Sequence, residues 1–269
     1  MTTGLLGRRV ARLLAGTPWW LLGGLALALS ACAALVSAGW LAQPALRAVA
    51  ITAGYGGMLA TAVGWAAHER RAPGMASAEA VCFIGGAALA TAVHPAGAVL
   101  YLATPVRLWV AAARGQLIGL ALGTSIPTRA VAVGIAAGLF LGLHLLICAA
   151  LTFGHRVQLD VPRFAAAFAL DAGAQVVATE CFYRGALLNR LVREWSFATS
   201  AAWSTAACLV RYLVDPLLPA SIEIVVGMVF YVSLVSVTSS WLFWRSGSLV
   251  PGSLTALLFF AAYRLLVVP

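Results

Sequence analysis

Two oppositely charged side chains, one helical turn apart, are the residues of this chain best suited to chemistry. Glu180 and Arg184 lie within a long apolar segment, 164–191. Residues i and i+4 share a helix face, and Glu before Arg is the favoured order. Ionisable groups in apolar helices are rare and costly, and they usually face a cavity or a partner. A carboxylate can activate water and a guanidinium can stabilise an oxyanion, so these two are the candidate catalytic residues.

Other polar residues accompany this pair along the same segment and the following ones. Asp171 and Gln175 share a face one to two turns earlier, and Arg211 and Asp215 form another i,i+4 pair. We favour an internal polar network in which each charge finds a partner, as apolar surroundings require. The alternative is a water-filled cavity. The residues of this network or cavity are Asp171, Gln175, Thr179, Tyr183 and Arg211, beside Glu180 and Arg184, with Glu223 opening a later helix.

The remaining reactive residue types predict no second catalytic centre. His144 lies in an apolar segment and could reach such a cavity, but we interpret it as a hydrogen-bonded structural residue. Cys181 or Cys208 would need a paired base to act as a nucleophile. All five Cys lie in apolar segments, which is typical of small buried hydrophobes rather than a disulfide framework. No spacing of His, Cys and carboxylates suggests a metal site, and no cofactor is expected.

Composition indicates the setting in which these residues must work. The chain has 269 residues, of which 62% are hydrophobic and 9% are charged. Soluble domains are about one quarter charged, so this composition predicts an integral membrane protein. The 17 basic residues are all Arg and produce a net charge of +9, but they are scattered among the loops between apolar segments. Nucleic-acid binding needs basic residues clustered on one soluble face, so we exclude it.

The apolar segments predict an all-α, polytopic helix bundle with eight or nine membrane spans, since about 20 residues cross a bilayer. The predicted spans are 17–41, 46–67, 77–94, 97–122, 130–153, 164–190, 196–214, 219–243 and 249–268. Within 77–126, His94-Pro95 and Thr104-Pro105 predict a broken or re-entrant helix, and the choice between eight and nine spans depends on this region. The first segment could pass for a signal peptide with a lipobox-like Leu29–Cys32, but we interpret it as a plain span.

The distribution of Arg predicts the orientation of these spans. With a cytoplasmic N-terminus, the loop 68–71 and five further Arg residues face the cytoplasm: Arg114, Arg129, Arg190, Arg193 and Arg245. Arg47, Arg156 and Arg163 lie near the outer ends. This asymmetry follows the positive-inside rule. It favours a bacterial cytoplasmic (inner) membrane protein whose first partner is the lipid bilayer.

Two rows of glycines recur at every fourth position. They are Gly115, Gly119 and Gly123, and Gly134, Gly138 and Gly142. Such rows let helix backbones approach closely in lipid. We favour tight packing within one bundle over an oligomer interface.

The residues around Glu180 also resemble a known family motif. Residues 179–185 read Thr-Glu-Cys-Phe-Tyr-Arg-Gly. They are similar to the E-E-x-x-x-R motif, often E-E-x-F-Y-R-G, of the CAAX-protease and bacteriocin-processing (CPBP or Abi) family of intramembrane endopeptidases. Residues 245–251, Arg-Ser-Gly-Ser-Leu-Val-Pro, resemble the segment that opens the last helix of that family. The resemblance implies a four-helix core within 161–269, with 1–160 as a family-variable set of N-terminal spans.

The chain departs from the family pattern at the catalytic positions. Thr179 replaces the first Glu, which is thought to activate water, and Arg211 or Tyr212 stands where the second motif has His. Residues 254–260 contain neither the His nor the Asn or Asp of the third motif, and the four His of this chain all precede Glu180. A single carboxylate would then lack an acid to protonate the leaving amine.

We therefore expect this protein to be a member of the family whose peptidase activity is lost or altered. Such a protein would act as a binding, scaffold or accessory subunit of a membrane complex, with other membrane-protein subunits as partners. The alternative is an active glutamate-dependent endopeptidase that cleaves membrane-anchored or sorting-signal peptides, with Glu180 and Arg184 as catalytic residues. A third alternative is a small transporter or channel that uses the same buried charges, although the chain shows no convincing inverted repeat with paired broken helices.

Overall fold

The structure is a computed structural model that describes residues 11–70, 75–117, 120, 122, 127–214 and 222–267, without the side chains of Arg70 and Glu223. The protein is all-α and 84% helical. The described residues form nine main helices in chain order: α1 Trp19–Ser37, α2 43–70, α3 Ser77–Val93, α4 Pro95–Ala113, α5 Thr128–Phe153, α6 161–191, α7 Phe197–Leu213, α8 Ile222–Ser246 and α9 Val250–Tyr263. Two short strands, β1 Arg156–Val157 and β2 Leu266–Val267, pair antiparallel.

Three helices change their hydrogen-bonding pattern along their length. In α2, a π-helical turn at Thr52–Gly56 separates Gln43–Ile51 from Gly57–Arg70. Helix α4 begins as a 3₁₀ helix over Pro95–Leu102, which accounts for the irregularity predicted around His94-Pro95. Helix α6 contains two π-helical segments, Asp171–Gln175 and Glu180–Leu188, and the second one carries the predicted catalytic pair.

Five helices are long and apolar enough to cross a membrane. They are α1, α2 over Gln43–Glu69, α4, α5, and α8 over Ile224–Ser246. Helices α3 and α9 are apolar but shorter. The all-α fold and the presence of several candidate membrane helices therefore confirm the prediction at this level.

One predicted boundary is wrong. The fourth segment was expected to continue to residue 122, but α4 ends at Ala113. Gly115 adopts a left-handed backbone conformation, with φ of 70°, which terminates the helix. Gly115 therefore does not belong to a helical glycine row, while Gly119 and Gly123 lie outside the described residues. Beyond the turn, Leu117 and Leu120 pack into the core, almost fully buried.

The second glycine row packs two helices of the same chain. Gly134, Gly138 and Gly142 of α5 face α9, and the Thr255 hydroxyl donates a hydrogen bond to the Gly134 carbonyl oxygen at 2.9 Å. A Cβ at Gly138 would lie 2.7 Å from the Thr255 carbonyl oxygen. The prediction of tight packing within one bundle is confirmed for this row, and the alternative of an oligomer interface is wrong there.

Gly138→Ala is expected to destabilise the protein by about 1–3 kcal/mol, because the two helix backbones must separate to accept the methyl group. The matched control is Gly86→Ala in α3, since a Cβ at Gly86 meets no other atom within 4 Å. Heat-induced unfolding in detergent, followed by Trp fluorescence, measures both variants. Equal stability of the two variants would contradict the close α5–α9 packing.

One hydrophobic core unites helices from both halves of the chain. Leu59 of α2, Ile84 of α3 and Tyr101 of α4 belong to the same buried cluster as Leu188 of α6 and Leu249. The predicted division into 1–160 and 161–269 stays a prediction about family relationship. In the structure, the N-terminal helices α2, α3 and α4 pack around the same hydrophobic core as α6.

Candidate functional site

The turn between α8 and α9 positions Ser239 and Gly252, which lie beside Glu180. Gly247 adopts φ of 65°, and the Ser248 hydroxyl accepts a hydrogen bond from the Val250 backbone N–H at 3.3 Å. Helix α9 then starts with Pro251 in its first turn, where a missing N–H costs nothing. The hairpin brings Ser239 of α8 beside Gly252 of α9, and the Ser239 hydroxyl donates to the Gly252 carbonyl oxygen at 3.3 Å.

Glu180 and Arg184 form a buried ion pair inside the bundle. Arg184 Nη1 lies 3.4 Å from Glu180 Oε1, and the two side chains are 2% and 3% exposed. Glu180 and Arg184 therefore pair as expected for two residues on one face of an α-helix, although their backbone is π-helical. Segments of π-helix are rare and frequently occur at functional sites, because they reorient side chains within a helix. Local sequence spacing was thus sufficient to find this pair.

The second carboxylate oxygen of Glu180 faces protein rather than open space. A Cβ at Gly252 would lie 3.2 Å from Oε2 and 3.0 Å from Ser239 Cβ. Gly252 therefore packs closely against both Glu180 and Ser239. Oε2 forms no hydrogen bond with the described residues, although Ser239 is adjacent. Arg184 Nε is likewise buried without a hydrogen bond, and Cys208 of α7 lies beside the guanidinium. The pair is compact and enclosed on these sides.

Histidine does not enter this site in the described structure. His144 Nδ1 lies 2.8 Å from the Tyr231 hydroxyl oxygen, and Cys148 Sγ is 3.7 Å away from the same nitrogen. His144 therefore engages α8, as the structural interpretation expected, and does not reach Glu180. Among the cysteines, Cys32, Cys181 and Cys208 are buried, whereas Cys82 is exposed and Cys148 half-buried, so the expectation of burial is wrong for those two.

Thr179 and Tyr183 serve helix packing. The Thr179 hydroxyl donates to the carbonyl oxygens of Gln175 at 2.7 Å and Val176 at 3.2 Å, within its own helix. The Tyr183 hydroxyl donates to the Ala207 carbonyl oxygen at 3.4 Å, and the Ser204 hydroxyl donates to the Tyr183 carbonyl oxygen at 2.8 Å. The Thr179 hydroxyl is thus satisfied by the backbone of its own helix.

Asp171 has a partner that sequence reasoning missed. Arg264, directly after α9, donates from Nε to Oδ2 at 2.8 Å and from Nη2 to Oδ1 at 2.7 Å. Asp171 is fully buried, and the side chain of Arg264 is 28% exposed. The two residues are 93 positions apart, so no spacing rule links them. The available signal in the sequence was an Arg inside the last predicted span, 249–268.

Gln175 and Arg211 belong to a separate aromatic cluster. Gln175 Oε1 accepts from the Tyr55 hydroxyl at 3.1 Å, and Gln175 Nε2 donates to the Tyr212 hydroxyl at 3.2 Å. The Arg211 guanidinium lies 4.7 Å from the Tyr55 ring centre and 5.1 Å from that of Tyr212. Neither Arg211 nor Tyr212 bonds to Glu180. Asp215 and the side chain of Glu223 lie outside the described residues, so the predicted Arg211–Asp215 pair stays a prediction.

A pocket of about 490 Å³ lies apart from the ion pair. It opens where α2, α6 and α8 begin and where α5 and α9 end, and Gln175 and Tyr212 line it. Glu180 and Arg184 do not. The predicted residues therefore divide into an enclosed ion pair, the Asp171–Arg264 pair, and an aromatic cluster at the pocket. This arrangement matches the polar network more closely than one cavity shared by all seven.

An ion cluster at the opposite end of the bundle joins three residues that the sequence placed on the cytoplasmic side. Arg190 Nε lies 2.9 Å from Glu69 Oε1, and Arg193 Nη2 lies 2.7 Å from Glu69 Oε2. Arg190 also donates to the carbonyl oxygen of Leu13 and stacks on Trp65, with 4.2 Å between the guanidinium carbon and the ring centre. The end of α6 is thereby tied to α2 and to the segment before α1.

In the part of the chain that the structure describes, no three His, Cys, Asp or Glu side chains converge as a metal site would require. The resemblance to the CPBP family stays a prediction based on the residues quoted above. Comparison of the chain with protein-family models, with curated proteins and with solved structures finds no significant match.

Proposed function

We propose that this protein is a non-hydrolytic membrane protein of the CPBP/Abi type. It crosses a bacterial cytoplasmic membrane eight or nine times with its N-terminus inside, and its core helices lie within 161–269. In this proposal Glu180 and Arg184 stabilise the core, and the protein serves as a binding, scaffold or accessory subunit of a membrane complex. The nine main helices of the described chain support the span count, since each overlaps one predicted segment.

The enclosed carboxylate of Glu180 is the observation that carries this proposal. Hydrolysis of a peptide bond needs a water molecule beside the base and a donor for the leaving amine. Glu180 Oε1 is paired with Arg184, and Oε2 faces Gly252 and Ser239. The pocket near Gln175 is lined by other residues. The position of the family's first Glu holds Thr179, which bonds to its own helix.

Ion pairs at one end of the bundle support the predicted orientation. Glu69, Arg190 and Arg193 meet there, and Arg12 pairs with Glu194 at 3.2 Å. All of these residues lie at or just beyond the ends of predicted spans, on the side assigned to the cytoplasm. An excess of Arg at this end is what the positive-inside rule requires of cytoplasmic loops.

The second candidate function is an active glutamate-dependent endopeptidase. One observation favours it: Glu180 Oε2 is buried without a hydrogen bond, and such a group is often reserved for a ligand or a reaction. A membrane-anchored or sorting-signal peptide would then enter when α8 and α9 separate from α6. Arg184 would stabilise the oxyanion.

Cells that carry wild type or Glu180→Gln at matched expression distinguish the two functions. The terminal peptides of the whole membrane proteome are compared by mass spectrometry, and the matched control is Glu79→Gln, which breaks the Glu79–Arg107 pair of 2.6 Å in α3 and α4. We expect identical termini in all three strains, together with a defined membrane partner that co-purifies with wild type. A cleavage product present with wild type and Glu79→Gln but absent with Glu180→Gln would establish the endopeptidase instead.

A further inference from the structure

The pocket near Gln175 combines charge and apolar surface in separate regions. Its volume of about 490 Å³ lies within the roughly 300–1,000 Å³ usual for small-ligand sites. Its basic side chains are Arg47, His155, Arg163 and Arg264, and no acidic residue lines it among the described ones. Each basic residue lies at a helix terminus: in the first turns of α2 and α6, or just after α5 and α9. The positive charge is therefore concentrated at one level, at the end of the bundle.

The deeper wall of the pocket is apolar. It is formed by Leu145, Met228, Phe259 and Phe260, which come from α5, α8 and α9. Outside this wall, the neighbouring surface is strongly apolar, with Leu151 at 83% and Val226 at 63% exposure. A ligand that fills the pocket must offer an anionic head to the rim and a hydrocarbon body to the wall.

Two arginines at the rim are available for such a ligand. Arg47 and Arg163 form no ion pair with the described residues, and both are exposed. Arg264 uses Nε and Nη2 for Asp171, which holds the guanidinium in place and leaves Nη1 without a described partner. Arg guanidinium groups bind phosphate and carboxylate with paired hydrogen bonds. The nine-tenths buried Gln175 at the floor keeps one amide hydrogen that no described hydrogen bond uses.

We propose that this pocket binds an anionic amphiphile, with its phosphate or carboxylate head among Arg47, Arg163 and Arg264 and its chain along the apolar wall. Such a molecule could be a lipid of the surrounding membrane or a smaller phosphate-bearing amphiphile that enters from water. The site is distinct from Glu180–Arg184, and the proposal goes beyond the function proposed above. The test below measures ligand binding, so its result does not depend on whether Glu180 hydrolyses peptides.

The test measures lipid binding to the full-length protein purified in a neutral detergent. Native mass spectrometry compares phosphatidylglycerol with phosphatidylcholine, and dodecyl phosphate and inorganic phosphate are added as competitors. The double variant Arg47→Gln/Arg163→Gln removes head contacts, with Arg156→Gln as a control because Arg156 is exposed at the same end but does not line the pocket. Gly227→Phe fills the pocket from α8, where a Cβ meets no atom within 4 Å.

We expect phosphatidylglycerol to bind wild type and Arg156→Gln equally, and at least about tenfold more tightly than phosphatidylcholine. The double variant should weaken this binding about tenfold, and Gly227→Phe should abolish it while Gly86→Phe in α3 leaves it unchanged. Dodecyl phosphate should compete and inorganic phosphate should not, if the occupant is a lipid or a similar amphiphile. Equal competition by inorganic phosphate, with no effect of Gly227→Phe, would indicate a free-anion site and overturn the proposal. Unchanged lipid binding in every variant would overturn it as well.

Discussion

Replacing Arg184 by methionine is expected to lower the free energy of unfolding by about 3–5 kcal/mol, the usual cost of breaking a buried ion pair. The substitution keeps much of the side-chain volume but leaves the Glu180 carboxylate, whose side chain is 3% exposed, without a counter-charge. Neither Ser239 nor Gly252, which lie beside the carboxylate, carries a positive charge that could replace it. Unfolding in detergent, followed through the fluorescence of the nine Trp, measures the loss.

The double variant Glu180→Gln/Arg184→Met separates charge from packing. When both charges are removed, no unpaired charge stays buried and neither group has to lose its hydration on folding. The double variant should therefore be much more stable than Arg184→Met alone. The difference is the coupling energy of the pair, which a double-mutant cycle with Glu180→Gln isolates. Additive effects of the two single substitutions would mean that the ion pair does not stabilise the core.

The second large effect concerns the ion pair between α6 and the segment after α9. Arg264→Ala should also cost about 3–5 kcal/mol, because it leaves the fully buried Asp171 carboxyl group without its partner. The pair has two short hydrogen bonds, of 2.7 and 2.8 Å, in a bidentate arrangement that Lys cannot reproduce. Arg264→Lys should therefore recover only part of the stability lost by Arg264→Ala.

The pair also holds the C-terminal end of the bundle. Gln158 N–H donates to the Leu265 carbonyl oxygen at 2.9 Å, and β1 pairs with β2 in the same region. Hydrogen exchange of these backbone amides in Arg264→Ala should increase, whereas Asp171→Asn/Arg264→Gln should retain most of the protection. If exchange stays at the wild-type rate in Arg264→Ala, the strand pair holds this end without the ion pair.

The pocket proposed to bind lipid and the enclosed ion pair contain different polar groups of this protein. The charges in the middle of the bundle are paired with one another, as a low-dielectric interior demands. Arg47 and Arg163 at the pocket rim are exposed near helix N-termini, where water and headgroups can reach them. The proposed scaffold subunit would need the first property for a stable fold and would use the second for contact with its surroundings.

Local properties of this protein were readable from its sequence. Hydropathy over about 20 residues located the helices, because each one must bury or embed its own apolar side chains. The Glu180–Arg184 pair was equally readable, since its two members lie four positions apart in one helix. Tight packing of Gly134, Gly138 and Gly142 within the bundle was favoured for the same reason, although its partner α9 was not identified.

Only the tertiary structure decided which distant residues meet. Asp171 pairs with Arg264, Gln175 lies between Tyr55 and Tyr212, and His144 turns to Tyr231. Each contact joins different helices, and its existence depends on the rotation and depth of both, which a hydropathy pattern leaves open. The end of α4 at Ala113 depended on the backbone of Gly115, in a segment whose apolar residues alone predicted a longer helix. The pocket arises in the same way, because its lining comes from helices whose termini approach one another only after the whole bundle has packed.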